Sequence, residues 1–105
     1  MDVVGMALSG LRASSAGLAV RANNVANQQS DGYKAKRIDL EAEASGGVRV
    51  SGVSEDPTPT SAGTSNVDLA TETVRGMVID LMYKANLKVL KSADELMQAT
   101  LDLKA

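Results

Sequence analysis

The C-terminal forty residues do most to limit how this chain can fold. From residue 66 onward, NVDLATETVRGMVIDLMYKANLKVLKSADELMQATLDLKA holds a single glycine and no proline. Val78, Met82, Ala85, Val89, Ser92, Leu96, Ala99 and Leu103 step by 4 and 3 throughout, the spacing of one helical face. Ile79, Tyr83, Leu87, Leu90, Met97 and Leu101 form a second apolar row beside it, broken at Asp94. A helix from about Asn66 to Leu103 would exceed about 50 Å in length. Two rows are more than one shorter partner helix can cover, so the surplus favours further chains, with a buried helix in a tight bundle as the competing account.

A partner lies at the other end. Val4, Leu8, Leu11, Leu18, Ala22 and Val25, with Ser15 in the one missing place, also step by 4 and 3. That predicts a helix over residues 3–27 with a coiled-coil seam and one polar interruption. Gly5, Gly10 and Gly17 each cost roughly 1 kcal/mol against alanine in a helix interior, so the helix depends on packing. Ala7, Gly10, Ser14 and Gly17 make a flat stripe on which another backbone could come close. Packing between molecules is favoured over a fit to one helix within the chain, because the apolar girth is large and aromatics are few. Asn23, Asn24 and Asn27 crowd the last turn, where amides either tie down the departing chain or accompany simple fraying. Asp31-Gly32 is the stop signal.

Between the helices, Val48, Val50 and Val53 alternate after Gly46-Gly47 and read as a short strand, paired in a hairpin with residues 38–43. A lone hairpin is marginal in water and needs a surface to lie on. SEDPTPTSAGTS, residues 54–65, reads as a flexible linker. Ser65 or Asn66 is the expected N-cap of the second helix, with Asp68 and Glu72 in the positive field of its first turn. The expected fold is mostly α: two long terminal helices, residues 1–32 and 66–105, packed as an antiparallel coiled-coil hairpin or bundle, with a β-hairpin or irregular segment over residues 33–65.

Composition narrows the function classes. The 105 residues include no Phe, no Trp, no Cys and no His, and 11 basic against 13 acidic side chains. The core must come from Leu, Val, Met and Ala, which suits helix packing. Nothing electrostatic argues for nucleic acid or an anionic membrane. The residues supply no nucleophile with a base, no metal spacing and no phosphate loop, so no catalytic, cofactor or metal role is expected. Asp2, Ser9, Gly10 and Arg12 interrupt the N-terminal apolar run, so neither a cleaved secretory signal nor a membrane-spanning window is expected.

Two stretches carry a resemblance. SGLRASSAGLAVRANNVANQQSDGYK, residues 9–34, resembles the N-terminal signature of bacterial flagellar rod and hook axial proteins, an ANN-hydrophobic-AN segment followed by Gly-Tyr-Lys. Residues 66–103 resemble the matching C-terminal signature, with an Asn-Val-Asp-Leu start, Glu72, Met77 and Tyr-x-Ala-Asn at residues 83–86. Length and the linker GGVRVSGVSEDPTP further resemble the short proximal-rod members, although Ser30-Asp31 stands where the family often has Thr-Pro and the linker is shorter than usual.

The resemblance implies a structural subunit of the basal-body rod, exported by the flagellar type III apparatus without a cleaved signal. Its terminal helices would line a tube of like subunits that transmits torque. Its partners would be copies of itself and other axial proteins, without membrane insertion. Matching positions imply assembly roles for Asn23, Asn24, Asn27, Gly32, Tyr33, Asn66, Asp68, Tyr83 and Asn86. The apolar rows add Leu8, Leu11, Leu18, Val78, Met82, Val89 and Leu96. A helical adaptor or export chaperone that sequesters one partner helix is the alternative.

Overall fold

A computed structural model describes residues 2–104 as two helices flanking one hairpin, in the order α1 (Val3–Ala26), β1 (Lys36–Ala42), β2 (Val48–Glu55) and α2 (Leu69–Lys104). The molecule is a rod of 68 × 25 × 14 Å. Most of that length is α2, whose 36 residues span about 54 Å.

Both helices start on an aspartate. Asp2 caps α1, its Oδ1 accepting the Gly5 N–H at 2.8 Å. Asp68 caps α2, accepting from Ala70 N at 3.0 Å and Thr71 N at 3.4 Å. The expected cap at Ser65 or Asn66 is therefore corrected by two or three residues. Ser65 and Asn66 are taken up elsewhere: the Ser65 hydroxyl bonds Gln28 O and the Asn66 amide bonds Ala35, Asp56 and Thr58.

The helices meet through small and polar residues. On α1 the buried positions are Ala7, Ala13, Ser14, Gly17 and Asn24; on α2 they are Glu72 and Gly76. A Cβ at Gly10 would stand 2.7 Å from the Asn86 side-chain carbonyl carbon, one at Gly17 3.1 Å from Ile79 Cδ1, and one at Gly76 2.7 Å from Arg21 Cζ. Contacts therefore run in opposite order along the two helices, from Gly10 with Asn86 to Asn24 with Glu72.

This corrects the expected seam. Leu8, Leu18, Ala22 and Val25 are exposed, and the flat stripe of Ala7, Gly10, Ser14 and Gly17 is spent within the chain and not between molecules. The physical reason is distance. Without a Cβ the backbones close in far enough for Arg21 and Asn24 to hydrogen-bond across, where leucines would hold them apart. A second correction concerns membranes: α1 is long and apolar enough, by length and composition, to cross one. Its alanines and valines carry that score, and Arg12 and Arg21 are its only charges.

β1 and β2 pair antiparallel in the expected hairpin, with β1 beginning two residues earlier than the pattern indicates. Gly46 and Gly47 turn the chain at φ 95° and 87°, a region closed to most side chains. Asp39 faces Gly52 while Leu40 faces Val50, so Ser51 is the extra residue of a bulge, its hydroxyl on Asp39 O. The hairpin lies on α1, where Ser9 Oγ accepts the Val48 N–H at 3.1 Å and Met6 packs against Gly46.

Candidate functional site

Two features stand out: a polar junction where both helices and the hairpin converge, and a long apolar face left open on α2.

Asn24 is the centre of the junction and is 1 % exposed. Its Oδ1 accepts from Tyr33 OH at 2.9 Å and from Lys36 N at 2.9 Å; its Nδ2 donates to Lys36 O at 2.8 Å and to Glu72 Oε1 at 3.2 Å. One amide thus pairs like a strand residue with β1 while holding the first turns of α2. Glu72 is buried beside it, also 3.8 Å from Arg75, and Arg21 Nε donates to Glu72 O at 2.6 Å.

The remaining junction residues fasten the connecting chain. Asn23 Nδ2 donates to Tyr33 OH at 2.9 Å, and Asn27 Nδ2 folds back on Asn23 O at 2.9 Å. Ser30 Oγ in turn donates to Asn27 Oδ1 at 3.1 Å. Gly32, at φ 72°, gives its N–H to Thr64 O. Asn66 Oδ1 accepts from Ala35 N at 2.6 Å, and its Nδ2 reaches Thr58 O at 2.8 Å. These bonds hold residues 56–66 to the start of the hairpin. Burial raises the Tyr33 phenol above its ordinary pKa, with Glu72 and Glu55 adding to it and the Asn23 bond opposing. The Thr58 hydroxyl and N–H hold Asp56 below the usual carboxylate value.

The predicted residues divide between the two features. Asn23, Asn24, Asn27, Gly32, Tyr33 and Asn66 gather at the junction, and Asp68 caps α2 next to it. Asn86 lies apart, over Gly10 with Nδ2 on Met82 O, and Tyr83 is half-buried on the same helix. Leu11 is half-buried, whereas Leu8, Leu18, Val78, Met82, Val89 and Leu96 are exposed. Arg21, Gly76 and Ile79 were not among the expected site residues. Glu72, Gly76, Ile79, Tyr83, Asn86, Leu90 and Ala93 step by 4 and 3 as regularly as the apolar row. That spacing was the available signal, obscured because its first members are a charge and a glycine.

The open face belongs chiefly to α2. Val74, Met77, Val78, Leu81, Met82 and Val89 are exposed, as are Leu96, Met97, Leu101 and Leu103 further on. The buried apolar residues among those described are the alanines Ala7, Ala13 and Ala35. The surface totals 7004 Å², against about 5,600 Å² for a globular protein of this mass. Contiguous apolar surface on this scale marks an interaction face.

The long helix α2 buries Glu72 and Gly76 inward and presents leucine and methionine outward, a surface suited to assembly. Residues 62–103 match the family model for the C-terminal domain of flagellar basal body rod FlgEFG proteins, a match over that stretch that supports membership of the flagellar basal-body rod family. That family is a structural one, located at the flagellar basal body and associated with the other axial proteins. No curated protein matches the chain.

Proposed function

We propose that this chain is a rod subunit that self-assembles, its α1 and α2 forming an antiparallel coiled-coil core unit, into a tube that transmits torque through passive packing. The subunit most resembles the short proximal-rod type. It travels through the flagellar type III apparatus and meets copies of itself and other axial proteins in the rod. The observation that carries this reading is the inversion of burial: alanines inside, and on α2 Val78, Met82, Val89 and Leu96 outside in one continuous row. Because these side chains are already about half buried, each would gain roughly 1 kcal/mol or somewhat more on full burial, which summed over the row gives a lateral stack of copies a driving force.

The open face can be altered away from α1 at Met77 and Leu81, which are 68 % and 69 % exposed and line a groove made of α2 residues. The double variant Met77→Glu with Leu81→Glu is expected to keep its helicity and urea midpoint, with a stability change under about 1 kcal/mol. The same variant should lose self-association in sedimentation velocity and fail to restore motility. Unchanged assembly would remove the proposal. A stable 1:1 complex with one partner, and no entry into basal bodies, would instead indicate a helical adaptor.

A further inference from the structure

Resting on that reading, we propose a head-to-tail contact in which the end of α2 of one copy, residues 94–104, docks in the groove between α1, β1 and the start of α2 of the next. The groove has a volume of about 270 Å³ and an apolar floor of Val20, Ile38, Val74 and Val78. Its lining carries the basic side chains Lys36, Arg37 and Arg75, with the Asp56 carboxylate near enough to Arg37 and Arg75 to be favoured by both, which leaves the rim with a basic excess. The one carboxylate in the lining, Glu72, is buried and already bonded to Asn24, with Arg75 3.8 Å away. Lys36 lies 6.0 Å over the Tyr33 ring and Arg37 is exposed.

Residues 94–104 have the complementary character. They carry Asp94, Glu95 and Asp102 against Lys104, and they expose Met97 at 61 %, Leu101 at 64 % and Leu103 at 88 %. α1 reaches α2 only as far as Val3 and Val4, which sit near Leu96 and Met97, so among the described residues nothing covers the last turns of α2. The chain cannot satisfy its own groove. Val78 and Leu101 lie on one continuous helix, about 35 Å apart along its axis. An acidic apolar helix end and a basic apolar groove displaced from it by about half the 68 Å length of the molecule make a heterologous contact, which builds an open filament wherever the rotation between copies does not close a ring. The charges set polarity: the acidic end meets a basic rim, while a tail-to-tail arrangement sets like charges together.

The chain has no cysteine, so introduced thiols report contacts cleanly. Full-length Val74→Cys and Leu101→Cys variants, both altered at exposed positions, are mixed where the wild-type chain oligomerises and then mildly oxidised. The expected product is a cross-linked pair containing one copy of each. Arg37→Glu in the groove copy should lower its yield about tenfold, and Asp102→Lys in the tail copy should recover most of that loss. Added salt should lower the yield as well. Oligomers that cross-link only Leu101 to Leu101, or only a lateral pair such as Leu81 to Leu81, would overturn the head-to-tail contact and leave self-assembly standing. Cross-links found only to a different axial protein would also overturn it. Absence of oligomers at any concentration would overturn both readings.

Discussion

Replacing Asn24 with leucine is expected to destabilise the chain by about 3 kcal/mol or more, although leucine is the larger hydrophobe and α1 is an apolar helix. The substitution leaves Lys36 N–H and C=O without their partner, removes the acceptor of the Tyr33 hydroxyl and strips the buried Glu72 of a donor. Each buried group left unpaired costs about 1–3 kcal/mol, more where it is charged. Asn23→Ala, one residue away and exposed, removes a bond to the same Tyr33 oxygen and should cost under about 1 kcal/mol. Urea titration followed by circular dichroism compares the two. Equal midpoints would show that the junction is ordinary helix-end polarity and not the tie that joins both helices to the hairpin.

Gly76→Leu should have an effect of similar size for the opposite reason. Its Cβ would occupy the space of Arg21, 2.7 Å from Cζ and 2.9 Å from Cδ. Arg21 cannot simply swing aside, because its Nε is bonded to Glu72 O. The variant must either break that bond or part the helices, a loss of about 3 kcal/mol set against a helix-propensity gain of about 1 kcal/mol. Gly76→Ala should show the balance more finely, with a net loss of about 1 kcal/mol. If leucine at this position raises the urea midpoint, the close approach of α1 and α2 is wrong.

Much of the architecture was legible from periodicity and turn chemistry. The absence of proline and the 4-3 spacing after residue 66 indicate one long helix, and Gly46-Gly47 between alternating valines indicates the hairpin. The face used for packing was harder to read. Hydrophobic periodicity weights leucine and valine, so it points to the row carrying Leu8 and Leu18 and to the row carrying Met82 and Leu96. The fold instead buries the row of Ala7, Gly10, Ser14 and Gly17 against Glu72, Gly76 and Asn86. Small residues contribute little transfer energy and much proximity, which a hydropathy pattern cannot register.

The site shows the same division. Clustered asparagines around residues 23–27 announce side-chain to backbone pairing, and the structure gives each amide a partner. Glu72 did not announce itself: a carboxylate in a first helical turn reads as a dipole partner. Only the meeting of Asn24, Arg75 and α2 in space makes it a buried acceptor. The linker composition of residues 54–65 likewise hides the fixed bonds of Asp56 N to Ala35 O and of Ser65 N to Gln28 O.

The central claim is that this chain is a stoichiometric building unit of the rod. Basal bodies isolated intact from the source cells, washed in high salt and fractionated, test it most directly by quantitative mass spectrometry of the rod fraction. The account predicts this chain there in a fixed ratio to the other axial proteins, retained through the washes, and its loss together with the rod when residues 66–105 are deleted. Rods that lack the chain, or cells that swim normally without those residues, would contradict it.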